Sequence, residues 1–361
     1  MRQATEAFLA APSLVAALRT ESARLGFHRV GIARPVPLDD DFQRWQRFVS
    51  QGRHGTMRWL ARSPGARLRV DGSEVLSGAQ SVIVCAMSYR REVPGEAVGP
   101  AGSEIARYAR GLDYHGFFRK RVRALAEWVR VQGKGTRARP LVDTAPVLER
   151  AWARLAGVGF VGKNGLVIVP GLGSYVLLGE VVTTLALPAD EPMTSRCGEC
   201  DLCLRACPTQ AFDAPYELDA RRCVSYLTIE HQESVPTELR TGVGSHLFGC
   251  DDCQDCCPYN RTTVPDEAST RPFASHERWA NMSVSDLLTL SADEVRDLAH
   301  GSPLGRAGPT GLARNAAIVM GNSRDRRHLP VLARAAAEHP DAIVREAARW
   351  AGDVLGEEPG E

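Results

Sequence analysis

The chain has 361 residues, of which 44% are hydrophobic and 24% are charged, as is ordinary for a globular protein of two or three domains. The formal net charge of +1 argues neither for nor against nucleic-acid binding, and any RNA contact would require a local basic patch. No apolar run approaches the ~20 residues that span a bilayer. Residues 1–11 lack the pattern of an export signal, which predicts a cytoplasmic location and no membrane contact.

Residues 1–188 alternate between helical and strand patterns. Hydrophobic periodicity predicts a helix over 13–25, a strand over Arg29–Ala33 and a helix over 41–51. The apolar run 81–87 is typical of a central strand buried on both faces, with Cys85 as a small buried hydrophobic residue. Later patterns predict a mostly helical stretch over 103–131, a strand over 139–143, a helix over 144–155, and a hairpin of strands over 165–170 and 174–187. The fold class is therefore α+β, with an N-terminal α/β domain over 1–188.

Nine of the ten cysteines lie between residues 197 and 257. The first run has the C-x2-C-x2-C-x3-C-P spacing of bacterial ferredoxins, in which the fourth cysteine serves the other cluster. This spacing assigns one [4Fe–4S] cluster to Cys197, Cys200, Cys203 and Cys257. The second cluster then takes Cys207, Cys223, Cys250 and Cys253.

Two features of this cysteine-rich segment leave alternatives open. Cys256 is left over, and Cys257 is favoured as the ligand because a proline follows it. Two zinc sites of four cysteines each are the competing interpretation, although interleaved ligands with two Cys-Pro ends are not the usual zinc-ribbon spacing. A disulfide framework is disfavoured in a chain without an export signal. Residues 189–265 are therefore predicted to be a ferredoxin-like domain with two clusters.

The last part of the chain, 266–361, is predicted to be a helical domain. Its four helical stretches are rich in Ala, Arg and Leu and lie at 283–299, 312–321, 329–338 and 342–355. Two of them resemble helices of stacked HEAT-like repeats. Two units are too few to stand alone, so they are expected to dock on the rest of the chain. Residues 356–361 are expected to be a disordered tail.

Asp143 is the leading candidate for a catalytic acid, because it lies where a predicted strand gives way to a helix. An apolar pocket can raise a carboxyl pKa enough for proton donation near neutrality. The alternative is that Asp143 only caps the helix. The glycines of 157–162 match G-x-G-x-x-G but follow a predicted helix, which argues against a dinucleotide site. His115 begins a corrinoid-like motif, but Phe118 replaces its glycine, which argues against His115 as a ligand to cobalt.

Several stretches together resemble one enzyme family. They are 106–115, 142–150, 159–164, 173–180, both cysteine groups with 249–254, and 314–317. In this combination the chain resembles the epoxyqueuosine reductases, cobalamin- and iron–sulfur-dependent enzymes of tRNA modification that are related to reductive dehalogenases. The resemblance spans nearly the whole chain in order.

The resemblance implies an activity and its cofactors. Cobalamin would lie between the N-terminal and cluster domains and receive electrons from the nearer cluster. The substrate would be the epoxide of epoxyqueuosine at the tRNA wobble position, and the products would be queuosine and water, in the last step of queuosine biosynthesis. Asp143 matches the family's proton donor. An external electron donor and a monomeric state are also expected.

Further cofactor and tRNA contacts are expected from the same resemblance. Lys163 and Asn164 lie in a glycine-rich loop suited to the corrin amides or the nucleotide tail, while each also has a purely structural interpretation. The remaining cobalamin candidates are Arg69, Tyr108, Ser174, Ser225 and Tyr226; Arg69 is chosen over Arg67 although the surrounding pattern departs from the family at Ser77-Gly78. Candidate phosphate contacts are Arg314, Arg324, Arg326 and Arg327.

Two other functions remain open at this point. A corrinoid reductase of a small molecule, such as an organohalide, would not need the Arg-rich helical tail. An electron-transfer protein without its own substrate would need no cofactor beyond the clusters.

Overall fold

The computed structural model describes residues 11–91, 93–261 and 270–356, so most of the predicted tail and nearly all of the start lie outside it. Ten strands are assigned: β1 Arg29–Ala33, β2 Ser81–Ser88, β3 Glu104–Ile105, β4 Ala138–Val142, β5 Phe160–Val161, β6 Val167–Ile168, β7 Val176–Thr183, β8 Phe212–Ala214, β9 Glu217–Leu218 and β10 His246–Phe248. Four of them form the central sheet in the order β1-β2-β7-β4, and all three pairings are antiparallel. The predicted mixture of helix and sheet is confirmed.

The α-helices of the described residues surround this sheet or follow the cysteine-rich segment. They are α1 Ala11–Arg24, α2 Asp39–Ser50, α3 Pro64–Leu68, α4 Tyr114–Arg130, α5 Glu149–Leu155, α6 Leu202–Arg205, α7 Val224–Ile229, α8 Thr237–Val243, α9 Asp252–Asp255, α10 Ala292–Ala299, α11 Gly308–Asn322, α12 Leu329–Glu338 and α13 Ala342–Gly356. Among the described residues, no helix is both long and apolar enough to cross a membrane.

Strand β2 is the middle of the fold, as its continuous apolar sequence predicts. All eight of its residues are buried, because helices cover both faces of the sheet. On one face Ile83 and Cys85 pack with Phe118 and Val122 of α4. On the other face Val84 packs against Trp152 of α5. Cys85 is fully buried, as expected of a small hydrophobic residue.

The helices after the cysteine-rich segment pack against it. Every residue of α11 from Gly311 to Gly321 is buried, so this helix has no solvent-facing stripe over that stretch. One hydrophobic cluster joins Ile318 of α11 with Leu227 of α7 and Phe248 of β10. The C-terminal helices therefore support the segment that carries the cluster ligands.

The stretch 103–131 is mostly helical, as predicted: after the short strand β3 it contains a 3-10 turn, Arg107–Ala109, and helix α4 from Tyr114. Two other details of the predicted N-terminal domain are wrong. The helix predicted from residue 144 begins at Glu149. The predicted hairpin does not form as such: β6 pairs with β5, whereas β7 joins the central sheet between β2 and β4. This strand pairing is long-range, and local patterns do not specify it.

Candidate active site and cluster ligands

The eight predicted cluster cysteines fall into two neighbouring groups. Burial raises the pKa of Cys203, and the nearby thiolates of Cys197 and Cys257 raise it further. Burial likewise raises the pKa of Cys253, and the next contribution comes from Cys223. Helices α6 and α9, which carry Cys203 and Cys253, pack against one another. The interlaced sequence assignment is thus compatible with the arrangement in space.

The spacing of the sulfur atoms disfavours zinc. Four thiolates around zinc, each ~2.3 Å from the metal, would lie ~3.8 Å apart. Among the described residues, the one set of three or more ligand atoms within 4.8 Å of one another is His246, Cys250 and Asp252, which contains a single sulfur. A larger iron–sulfide core accommodates wider cysteine spacing, so the donor set fits two [4Fe–4S] clusters.

Cys256 and Cys257 provide a direct test of the ligand assignment. Cys257 is buried and packs with Phe160 and Ile168, while the Cys256 thiol lies 3.7 Å from the Cys253 carbonyl oxygen. We expect Cys257→Ala to lose one cluster, so that iron falls from about eight to about four atoms per chain, while the matched Cys256→Ala variant keeps about eight. Iron and sulfide analysis of anaerobically reconstituted protein checks this. Full iron content in Cys257→Ala would contradict the assignment.

Asp143 lies immediately after β4, at the edge of the central sheet. Its carboxylate accepts a hydrogen bond from the Tyr114 hydroxyl at 2.7 Å and lies 2.9 Å from His115 Nε2. Both partners come from the first turn of α4. The Asp143 Oδ1 atom is buried and has no hydrogen-bond partner in the described part of the protein. Because α5 begins only at Glu149, Asp143 is not its cap, which excludes the alternative role of Asp143.

The pKa of Asp143 is lowered, whereas the sequence led us to expect a raised value. Burial by itself would raise the pKa of Asp143, but hydrogen bonds from His115 and Tyr114 outweigh burial and hold that pKa below its usual value. The same hydrogen bond to Asp143 raises the pKa of His115, against the effect of burial. The predicted rise in the Asp143 pKa is therefore wrong. The contact therefore favours the charged forms of both groups, the His115 imidazolium and the Asp143 carboxylate.

His115 is fixed by carboxylates on both sides of its ring. Asp113 accepts a hydrogen bond from the His115 backbone N–H at 2.9 Å and so caps α4. The same Asp113 oxygen also lies 2.6 Å from His115 Nδ1. With a carboxylate beside each ring nitrogen, His115 is held in place against Asp143.

A cleft of about 220 Å³ extends from Asp143 toward the cluster-binding segment. On the far side lies Gln254, the residue that follows the cluster ligand Cys253. The Ser174 hydroxyl donates to Gln254 Oε1 at 2.9 Å, which joins the two sides. The remaining lining includes Tyr89, Tyr114, Phe118, Glu149, Arg150, Leu166, Val167, Val176, Leu177 and Leu178. The cleft thus lies between the sheet and the cluster ligands.

The turn before β7 is built for close contact with the cluster segment. Gly173 has a φ of +80°, and a Cβ there would lie 2.0 Å from Asn260 Oδ1. That oxygen accepts the Ser174 backbone N–H at 2.7 Å. A glycine at this position therefore lets Ser174 reach the cleft.

Only some of the predicted cobalamin-binding residues lie at the cleft. Of the cobalamin candidates, Asp143 and Ser174 line the cleft. Asn164 is buried and donates to the Cys253 carbonyl at 3.2 Å, so it joins its loop to the second cluster segment. Lys163 is half-buried, and its carbonyl accepts from the Tyr216 backbone.

Three candidates already have structural partners elsewhere. Tyr108 packs between the rings of Tyr114 and Phe248, which places it behind the Asp143 site. Ser225 donates to the Cys250 carbonyl at 3.4 Å. The Tyr226 hydroxyl accepts the Thr56 backbone N–H at 2.9 Å and so fixes a neighbouring loop.

Two arginines lie in positions that differ from their predicted roles. Arg69 is half-exposed at the surface and forms a two-pronged ion pair with Asp71, with nitrogen–oxygen distances of 2.7 and 2.8 Å. The structure does not bring it to the cleft. Arg314 was expected to contact tRNA, but it is 1% exposed and its guanidinium is hydrogen-bonded to backbone carbonyls. That expectation is wrong, whereas Arg324, Arg326 and Arg327 are exposed.

Some residues of the site were missed by sequence reasoning. Tyr114 and Gln254 adjoin residues that were singled out, namely His115 and Cys253, so proximity along the chain was an available signal. Glu180, buried in the middle of β7, was visible as an acid inside an apolar run. Glu149 lies in the stretch 142–150 that carries the resemblance, six residues after Asp143, so it too was within reach of the sequence.

Comparisons with known proteins point to one enzyme family. The family model described as "4Fe-4S double cluster binding domain" matches residues 196–260, and "Epoxyqueuosine reductase QueG, DUF1730" matches residues 69–144. The epoxyqueuosine reductase of Pseudomonas aeruginosa is 40% identical, covering 94% of this chain and 93% of that protein. The Escherichia coli epoxyqueuosine reductase is 36% identical, covering 91% and 86%.

Solved structures of epoxyqueuosine reductases also match the fold of this chain. A crystal structure of an epoxyqueuosine reductase with an epoxyqueuosine-modified tRNA-Tyr stem loop matches with a TM-score of 0.87 and 27% identity, covering 96% of this chain and 92% of that one. The structure of the Streptococcus thermophilus epoxyqueuosine reductase matches with a TM-score of 0.84 and 28% identity, covering 97% and 92%. With its double-cluster segment and its relatives at 36–40% identity along most of their length, the chain belongs to the epoxyqueuosine reductase family.

Proposed function

We propose that this protein reduces the epoxide of epoxyqueuosine in tRNA to give queuosine and water, using cobalamin and two [4Fe–4S] clusters charged by an external electron donor. The observation that carries the proposal is the single cleft that has Asp143 on one side and Gln254, next to cluster ligand Cys253, on the other. A reducing group in this cleft would lie beside the cluster segment, which supplies electrons, and beside Asp143, which supplies a proton.

The residues that line the cleft suit one part of a mostly apolar cofactor with polar edges. Leucine, valine and aromatic side chains provide the walls, while Ser174 and Gln254 provide hydrogen-bonding groups at the side of the clusters. The buried Asp143 Oδ1 atom, which has no partner among the described residues, provides a polar group on the opposite side. When bound here, cobalamin supplies low-potential reducing chemistry.

Residues of the chain supply the proton that neutralises the epoxide oxygen. Opening an epoxide leaves negative charge on its oxygen, and a positioned acid that neutralises this charge typically contributes 10²–10⁴-fold in rate. The His115 imidazolium holds a proton 2.9 Å from the Asp143 carboxylate, and Tyr114 fixes the same carboxylate at 2.7 Å. Asp143 therefore delivers to the oxygen a proton that it draws from His115.

The finer architecture belongs to the same proposal. Residues 1–188 would form the cobalamin-binding domain, 189–265 the ferredoxin-like domain, and 266–361 a HEAT-like domain that contacts tRNA. The support is the exposed basic segment after α11, where Arg324, Arg326 and Arg327 lie within four residues. Arg324 and Arg326 would act as phosphate contacts, while Arg327 is paired with Asp325 at 2.6 Å.

This segment gives a prediction for tRNA binding. We expect the double variant Arg324→Ala/Arg326→Ala to bind an epoxyqueuosine stem loop more weakly and to lower the slope of log K against log salt by about 1–2, because each phosphate contact releases about one counterion. A matched variant, Arg296→Ala/Arg334→Ala, removes two arginines from α10 and α12 and should bind as the wild type does. Equal affinity and equal salt slope in both variants would exclude this surface.

The proposed function is tested by measuring the conversion of epoxyqueuosine to queuosine. Enzyme reconstituted anaerobically with iron, sulfide and cobalamin is incubated with a reductant and either epoxyqueuosine-containing tRNA or an aryl halide, and the products are identified by mass spectrometry. The proposal predicts queuosine in the tRNA. Unchanged tRNA in fully loaded enzyme, or dehalogenation alone, would reject it.

A further inference from the structure

The imidazole of His246 lies beside a ligand of the second cluster. Its Nε2 atom is 3.6 Å from the Cys250 sulfur and 3.1 Å from a carboxylate oxygen of Asp252. His246 begins strand β10, which pairs with β3 and so fixes the backbone at this point. The His246 side chain is 12% exposed, so water has little access to the contact with Cys250.

The two neighbours of Nε2 decide which atom carries the hydrogen. A thiolate bound to iron and an ionised carboxylate can only accept hydrogen bonds. Because Nε2 lies within reach of both Cys250 and Asp252, it must carry a hydrogen and donate it. This is true of the neutral ring with its hydrogen on Nε2 and also of the imidazolium. Asp252 thereby holds the ring in place against the sulfur.

Side-chain hydrogen bonds distinguish the two clusters. Within residues 11–91, 93–261 and 270–356, side chains contact two ligand sulfurs in this way. His246 contacts Cys250, and the Thr209 hydroxyl lies 3.7 Å from the sulfur of Cys207. Both cysteines are assigned to the second cluster. In the same ranges, no side chain is hydrogen-bonded to a ligand sulfur of the first cluster.

We propose that His246 is a positioning residue that raises the reduction potential of the second cluster through its hydrogen bond to Cys250. Reduction adds one electron from the external donor to the cluster, breaks no bond and transfers no proton. The added negative charge is shared by the sulfur atoms, so an N–H group aimed at a ligand sulfur stabilises the reduced cluster more than the oxidised one. Hydrogen bonds to sulfur are among the features that set the potential of such clusters.

The position of the second cluster gives this effect a direction. Cys200 of the first cluster is exposed, whereas all four ligands of the second cluster are partly buried, so electrons enter most easily at the first cluster. Cys253 of the second cluster precedes Gln254, which lines the cleft. A higher potential at the second cluster therefore favours movement of the electron toward the cleft. Only this consequence rests on the proposed function; the effect on the potential depends on the clusters alone.

The test is a redox titration of anaerobically reconstituted enzyme, followed by electron paramagnetic resonance without cobalamin or RNA. At the potential that half-reduces the second cluster of the wild type, His246→Leu should lower the ratio of reduced to oxidised cluster by about 10-fold. This corresponds to a potential about 59 mV more negative for a one-electron couple, and the first cluster should titrate as in the wild type. His246→Gln, which keeps an N–H donor, should recover most of the shift. The matched control His300→Leu removes an exposed histidine and should leave both potentials unchanged.

A second measurement uses the wild type and does not require a variant to load its clusters. Isotopic labelling of the histidine ring nitrogens should give a nitrogen coupling to the reduced second cluster in pulsed electron paramagnetic resonance, because the hydrogen bond carries spin density to Nε2. The coupling should be absent from His246→Gln, which has no imidazole at this position. This result decides the matter if His246→Leu fails to hold the second cluster.

Three outcomes would overturn the inference. One is a wild-type potential for the second cluster in His246→Leu that holds about eight iron atoms. Another is a labelled wild type without nitrogen coupling. The third is an additional metal ion in the wild type that His246→Leu loses, since His246, Cys250 and Asp252 would then form a separate metal site. Failure to form queuosine, with the shift in potential observed, would count against the proposed function and leave the role of His246 in place.

Discussion

Asp143→Asn should lose at least 100-fold in the rate of queuosine formation, while its iron content, cobalamin binding and stem-loop affinity stay at wild-type values. The amide keeps the size of the side chain and its contact with Tyr114, but it cannot pass a proton from His115 to the substrate oxygen. Removal of a positioned acid typically costs 10²–10⁴-fold. Single-turnover kinetics with pre-reduced enzyme measures the chemical step without the contribution of the electron donor.

The control for this variant is Asp71→Asn. Asp71 also pairs with a cationic side chain, Arg69, but does so at the surface and away from the cleft. It should react at the wild-type rate. A wild-type rate in Asp143→Asn, measured in the same experiment, would remove Asp143 from the chemistry.

Arg314→Ala should strongly destabilise the fold. The Arg314 guanidinium donates to the backbone carbonyls of Leu227, His231 and Glu233 at 2.7, 2.7 and 2.5 Å. Alanine leaves the buried Leu227 carbonyl and the part-buried His231 and Glu233 carbonyls without this donor, and a buried acceptor left unpaired costs about 1–3 kcal/mol. Leu227 lies on α7, which begins directly after the cluster ligand Cys223, so loss of iron from the second cluster should accompany the fall in stability.

The matched control is Arg324→Ala, ten residues further along the chain and exposed. Substitution of such a surface residue typically changes the free energy of unfolding by less than about 0.5 kcal/mol. Thermal unfolding and iron analysis of the loaded proteins compare the two variants. Equal melting temperatures and equal iron retention would show that Arg314 does not hold the helices to the cluster segment.

The sequence was most informative where chemistry depends on local spacing. The cysteine pattern, the buried β2 and the end of β4 at Asp143 were all predictable, since each is written into a short stretch. The sheet order was not, because β7 pairs with strands about 40 and 95 residues before it. The exposed or buried state of an arginine was also not predictable: Arg314 and Arg324 look alike in sequence, and only the packing of α11 separates them.

The pKa of Asp143 was likewise not predictable from the sequence. An acid at a strand end in an apolar region was expected to hold its own proton. In the fold, the first turn of α4 places Tyr114 and His115 against the carboxylate, and this lowers the pKa of Asp143. Burial instead raises the pKa values of Glu149 and Glu180, which lie on different elements of the fold. Contacts between distant segments, and not residue type, decide which carboxyl is charged.

The central claim is that electrons from two cysteine-held clusters and protons from Asp143 meet in one cleft. The most direct measurement is a single turnover in which cobalamin-loaded enzyme is chemically reduced, freed of excess reductant and mixed with epoxyqueuosine stem loop. The account predicts about one queuosine per enzyme, with loss of the reduced-cluster electron paramagnetic resonance signal at the same rate. Reduced clusters that persist beside unchanged epoxide, in enzyme that has bound both cobalamin and RNA, would contradict it.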